Sequence, residues 1–316
     1  MSPLIIEDIE KRQLRLPLDR LPIIANCCQY RVRLDGTELV KRGHSVSLAI
    51  LALFLLNGEI LYNRPDNEIR VSVAHNNVTH FLNAQAFNRY SPPQLAHGLT
   101  YNKSCRFIDV KLTRRGIRTR GHLWKLRCCI DTSKLPKTLS YVEDNGSLSR
   151  DERRNLMLLA NKLGEEGFSC LYEEIYIYLK RGGTFRYRNS FAEEYQYYMA
   201  KELATAVSEG RLLRLGALWS PSDKYSPYRG IFICDQSGPD NLPDYVFTAS
   251  REKEAGHDRH LPDDVDRHVS LEVDYTVGKG QLPLLRTRRW IHGLCFFYGC
   301  PRIDVVFPWP STIKQI

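Results

Sequence analysis

At 316 residues the chain can hold one large domain or two modest ones. It is 43% hydrophobic and 26% charged, which excludes global disorder and makes a sizeable core attainable. A formal charge of +9 permits contact with nucleic acid or an anionic membrane, but charge argues association and decides neither fold nor function.

Residues 1–98 read as a helical region. Asp19 ahead of Pro22 suits a helix start, and Ile23, Ile24, Cys27 and Cys28 follow as a helical stripe. Ser45 to Leu56 is the next expected helix, ended by Asn57-Gly58, and 78–87 a third, with the turn cluster NRPDNE at 63–68 between them. The apolar run 46–56 is far short of the roughly 20 residues a bilayer span needs.

The pattern changes at 105–131, where apolar and polar residues alternate from Phe107 to Leu112 and again from Ile117 to Leu126. This predicts a β-hairpin, or two strands and a bend. A loop is expected at 134–146. Ser149-x-x-Glu152 is a capping box ahead of Leu156, Leu159 and Leu163, with Gly164 or Gly167 as the stop. Leu171, Ile175 and Leu179 mark a following helix that Gly182-Gly183 ends. Ser190-x-x-Glu193 opens another, with Tyr195, Met199, Leu203 and Ala206 on one face and Gly210 as its stop.

From Leu212 onward the sequence predicts strands at 212–219, 230–234, 245–249, 269–275, 290–297 and 303–307. The charged link SREKEAGHDRHLPDDVDRH at 250–268 is expected as a surface loop. The tail RRWIHGLCFFYGCPRIDVVFPWP, 288–310, packs six aromatic residues into two apolar runs and reads as two buried strands joined by a tight turn. Helices, hairpin, helices and then consecutive strands argue an α+β fold. The expected architecture is a helical region at 1–98 and a β-rich domain at 99–316. In that domain an antiparallel sheet or barrel takes a helical insertion at about 149–210.

The three blocks GLCFFYGCPRIDVVFPWP at 293–310, DRLPIIANCCQYRVRL at 19–34 and TYNKSCRFIDVKLTRRGIRTRGHLWKL at 100–126 resemble the C-terminal part of fungal heterokaryon incompatibility proteins, the HET-domain family. The Trp-Ile-Asp-Ala-like strand, the Cys-Ile-Asn-Gln-like continuation and the Gly-Trp…Gln-Glu block that mark the HET domain do not occur in this sequence. The chain thus resembles the region downstream of that domain. The resemblance implies a regulatory or interaction module of a non-self recognition protein. In such proteins the HET domain triggers growth arrest and programmed cell death. An upstream HET domain is the expected protein partner; the chain then either modulates a HET domain encoded upstream or is a truncated gene product.

Four chemistries have candidate residues in the sequence. His257, His260 and His268 sit with Asp258, Asp263, Asp264 and Asp266 in one link. Structural zinc wants four closed ligands, usually with cysteine at fixed spacing, so a solvated acidic loop is the expectation, with no metal and no cofactor. Cys295-x4-Cys300 with His292 could form a thiol site, Cys300 beside Pro301-Arg302 being the better nucleophile. Arg181-Gly-Gly-Thr184 and Val277-Gly-Lys-Gly280 match no phosphate-binding fingerprint and read as turns. The segment 106–127 holds eight Lys or Arg against one acid, Asp109, and carries Trp124. That combination can bind single strands, though Leu123 and Leu126 flank the tryptophan and assign it to the core. Residues 235–274 hold eleven Asp or Glu against four Lys or Arg. The two stretches are expected to neutralise each other within the fold or to be solvated.

Nine cysteines without a Cys-x-x-Cys, two adjacent pairs among them, and no secretory pattern predict buried thiols in a reducing, cytoplasmic setting. The first functional expectation is a non-enzymatic interaction module. An alternative is a stand-alone enzyme with a cleft near Cys300, His292 and Asp304, its catalytic roles unassigned. A third and weaker reading is a basic nucleic-acid-binding module.

Overall fold

The computed structural model of the chain describes residues 16–28, 30–61, 106–136, 147–182, 191–221, 226–233, 244–249, 269–276, 281–295 and 301–309. The helix expected at 78–87, the turn at 63–68, most of the loop at 134–146 and the link at 250–268 lie outside them.

Three short helices come first: α1 (Arg20–Cys27), α2 (Gly36–Lys41) and α3 (Val46–Leu56). Ser45 caps α3 by accepting from the Leu48 amide at 3.1 Å, and Asp35 caps α2 through the amides of Thr37 and Glu38. Helix α3 is apolar on nearly every side and buries Ile50, Leu51, Leu53, Phe54 and Leu55, the pattern of an inner helix. Gly58 follows it at φ +85°, and a side chain there would meet the Phe107 carbonyl oxygen at 2.1 Å. The Phe107 amide donates to the Gly58 oxygen at 2.8 Å, so this glycine lets the helical region and the start of the β region touch backbone to backbone.

Among the described residues nine strands form one sheet: β1 (Lys111–Thr113), β2 (Gly116–Asp131), β3 (Leu212–Leu218), β4 (Tyr228–Ile233), β5 (Tyr245–Ala249), β6 (Val269–Thr276), β7 (Leu284–Trp290), β8 (His292–Cys295) and β9 (Ile303–Pro308). The expected hairpin is β1 and β2, turned at Arg114-Arg115. The alternation from Phe107 becomes strand only at Lys111, because Asp109 takes φ +51° and breaks the extended run.

β2 organises the sheet. Its first part, Gly116–Gly121, pairs with β9; His122–Lys125 pairs with β5; Trp124–Asp131 pairs with β3. Pairings β5–β6, β6–β7 and β7–β9 complete a circuit back to β2, while β4 and β8 extend from β3. Gly121 stands where β2 passes from β9 to β5. A side chain there would meet the Thr248 oxygen at 2.5 Å and the Phe247 ring at 2.6 Å, a close approach that glycine permits.

Between β2 and β3 lies the expected helical insertion: α4 (Arg150–Glu165), α5 (Ser169–Lys180) and α6 (Phe191–Glu209). The Ser149/Glu152 capping box is present in both directions, at 3.2 and 2.7 Å. The stop of α4 is Gly167, at φ +86°. The capping box expected at Ser190 lies outside the described side chains. Leu156, Leu159 and Leu163 of α4, Leu171 and Ile175 of α5, and Met199, Leu203 and Ala206 of α6 are all buried. The Phe168 ring meets Tyr228 of β4 edge-on at 5.1 Å, holding the insertion to the sheet. The architecture is α+β.

Among the described residues every strand pairing is antiparallel except β7–β9, which run parallel with Leu284 opposite Val306. One expectation needs correction. The tail is not a hairpin: β8 pairs with β4, whereas β9 pairs with β2 and β7. The strand expected at 290–297 is two strands broken at Ile291, and β7 begins well upstream. β7 alternates Leu285 and Thr287 inward with Arg286 and Arg288 outward.

Candidate functional site

The helical region and the entry to the sheet enclose a cleft of about 310 Å³, with Arg31, Asn57, Arg106 and Asp109 among Val32, Leu56 and Phe107. Asn57 builds one wall. Its Oδ1 accepts from the Val32 amide at 2.9 Å and its Nδ2 donates to the Val32 and Leu53 carbonyls at 3.1 and 2.8 Å. The two bonds to Val32 tie the extended segment to the end of α3, and the third adds to the bond the Leu53 carbonyl already accepts from the Asn57 amide.

Behind the cleft, Arg106 is held on three sides. Its Nη2 donates to the Cys28 carbonyl at 2.9 Å, its Nε stands 3.7 Å from Glu59 Oε1, and its guanidinium lies 4.7 Å from the centre of the Tyr30 ring. Tyr30 donates its hydroxyl to the same Glu59 oxygen at 2.6 Å and meets Phe54 edge-on at 5.6 Å. Burial, reinforced by the Glu59 charge, pushes the Tyr30 phenol well above its ordinary value. The hydroxyl therefore stays a donor, and the Tyr30–Glu59–Arg106 group joins residues 30, 59 and 106 into one polar unit. No sequence motif announces it, because each partner lies dozens of residues from the next.

The second constellation centres on Asp304, a residue singled out in the sequence. Arg118 Nη2 donates to Asp304 Oδ2 at 2.6 Å, and Arg120 Nε stands 3.9 Å from Oδ1. The hydrogen bond from Arg118 and the positive charges around it hold the Asp304 carboxyl below the usual carboxylate range, and the same bond raises Arg118. Lys111 of β1 lies directly opposite Arg118.

The other predicted residues stand as follows. His292 opens β8 opposite Ile233, and Cys295 closes it opposite Gly230. β8 and β9 do not pair, so His292 and Asp304 belong to separate strand ladders; Cys300 lies outside the described residues. The histidine-rich link, His257 to His268, also lies outside them. No group of three or more His, Cys, Asp or Glu is placed to hold a metal ion among the described residues. Among the described cysteines 27, 28, 128, 129 and 170 none forms a disulfide; Cys28 is buried, whereas Cys27 and Cys129 are exposed.

Trp124 is fully buried, donates its Nε1 to Thr248 Oγ1 at 2.8 Å and packs near Phe232, so it is a core residue and offers no face to a base. Glu272 and Asp274, from the acidic stretch, are neutralised by Arg288 of β7 rather than by the basic hairpin. Among the described residues no helix is long and apolar enough to cross a membrane.

No family model, no curated protein and no solved structure matches this chain.

Proposed function

We propose that this chain is a non-enzymatic interaction module that meets a protein partner through its N-terminal helical face. One observation carries the reading. Of the six large apolar side chains exposed among the described residues, four lie between positions 16 and 48: Leu16 at 62%, Val32 at 38%, Val40 at 48% and Leu48 at 41%. They sit on or beside α1 to α3; α1 and α3 bury their other sides in the core, and α2 rests against it through the half-buried Leu39. Apolar side chains gathered on one small element cluster favour protein contact.

The partner we infer is a HET domain, as the resemblance implies. Three segments widely spaced in the sequence carry that resemblance, and they adjoin in space. Cys28 and Tyr30 contact Arg106, while β2 pairs with β9 along Gly116–Gly121. A resemblance confined to segments that form one contiguous body supports a shared unit of structure.

Calorimetric titration of a purified HET domain into the chain tests this. Saturable binding, lost in Val40→Asp and Leu48→Asp variants that keep the parent's unfolding midpoint, is the expected result. Absence of binding, or binding indifferent to both substitutions, overturns the proposal.

A further inference from the structure

We propose that the outward face of β1 and β2, carrying Lys111, Arg118 and Arg120, docks an acidic segment of a protein partner. The inference rests on the reading of the chain as a protein-interaction module and names the chemistry of a second contact.

The β1–β2 register sets Lys111 directly across from Arg118, and Arg120 follows two residues along the same face, about 6.7 Å further on. Like charges directly opposed on a sheet destabilise it. Here, among the described residues, one carboxylate, Asp304, answers three cations. It stands opposite Arg120 in the β2–β9 register yet takes its short bond from Arg118. The side chains remain 40% and 54% exposed at Arg118 and Arg120. The same sheet shows the alternative at Arg288, a single guanidinium matched by two carboxylates, Glu272 and Asp274. Among the described residues the Lys111–Arg118–Arg120 face is therefore a local surplus of positive charge, unlike the Arg288 site.

Asp304 also displays what this face accepts. It takes one guanidinium nitrogen from each arginine, and a guanidinium has five N–H donors in a planar fork suited to carboxylates. A glutamate or aspartate run laid along β2 would meet the two arginine forks at the spacing of alternate residues in an extended chain. Nucleic acid is the competing ligand, but the tryptophan of this hairpin is buried, which removes stacking and leaves phosphate attraction alone.

The test uses the full chain and two labelled probes, an oligoglutamate peptide and a single-stranded oligothymidylate of matched charge, read by fluorescence anisotropy at low salt. The variant Lys111→Gln/Arg120→Gln leaves the Arg118–Asp304 bond in place. The control Lys41→Gln/Arg42→Gln removes the same charge from exposed positions on and just after α2. Weakening of oligoglutamate binding by about fivefold to tenfold in the first, with less than about twofold in the control, supports the site. Equal losses in both variants, tighter binding of oligothymidylate, or no measurable oligoglutamate binding each overturn it. If a HET domain binds and is lost with Leu48→Asp but not with Lys111→Gln/Arg120→Gln, this inference fails while the proposed function stands.

Discussion

The Arg106 guanidinium lies 4.7 Å from the centre of the Tyr30 ring, although the two residues are separated by most of the helical region. Glu59 completes the arrangement by accepting from the Tyr30 hydroxyl at 2.6 Å and facing Arg106 Nε at 3.7 Å. Tyr30→Phe keeps the ring and deletes the donor, leaving Glu59 short of one hydrogen bond in a part-buried setting. The expected loss is about 1–2 kcal/mol, measured by urea unfolding.

The same residue sets an alkaline limit. Its phenol is raised by burial first and by Glu59 second, so its folded value exceeds the unfolded value of about 10. Both states are protonated below that, and stability is then independent of this group. Above it the unfolded chain loses the proton first, and the contribution declines as pH rises through the folded value. Tyr30→Phe is expected to show a shallower fall of stability above pH 10 than the parent. Equal slopes would sink the argument.

Asp304 makes the opposite prediction at acid pH. Its carboxyl is held below the ordinary value, chiefly by the Arg118 hydrogen bond. Its contribution is complete above the unfolded value of about 3.9 and is lost as pH falls through the folded one. Asp304→Asn should flatten the acid limb of the stability profile below about pH 4 while leaving the alkaline limb unchanged. Carboxylate titration by NMR would show the shifted resonance directly.

Gly43 and Gly58 have nearly the same backbone, at φ +79° and +85°, and different surroundings. A side chain at Gly43 meets nothing within 4 Å, whereas at Gly58 it meets the Phe107 oxygen at 2.1 Å. Gly43→Ala should cost about 1 kcal/mol, the left-handed penalty alone. Gly58→Ala should cost at least about 2 kcal/mol more, because the contact between the α3 end and the strand entry has to open. Thermal unfolding of the pair separates conformational from steric cost.

Ser149 caps α4 by accepting from the Glu152 amide, and Glu152 returns the bond to the Ser149 amide. Ser149→Ala is expected to destabilise the chain by about 1 kcal/mol, with a matching rise in hydrogen exchange at the first turn of α4.

Local chemistry was readable wherever a signal and its consequence lie within a few residues. The Ser149-x-x-Glu152 box, the apolar spacing of Leu156, Leu159 and Leu163, the run from Val46 to Leu56 and the short apolar segment Tyr245–Ala249 each specify an element from neighbouring side chains alone. The α+β class follows from their order. What the sequence left open depends on partners brought from afar. β7 was not among the expected strands, and its Arg288 finds the carboxylates of Glu272 and Asp274 only across the β6–β7 ladder. The tail looked like a hairpin because its two apolar runs are adjacent in sequence, yet hydrogen-bonding groups pair with whichever edge the fold presents, and β8 and β9 were claimed by β4 and β2. Both candidate constellations have this origin. Arg106 finds Tyr30 and Glu59, and Asp304 finds Arg118, only after the strands have closed, since charge and hydrogen-bond complementarity act over a few ångströms and the sequence holds these partners up to 186 residues apart.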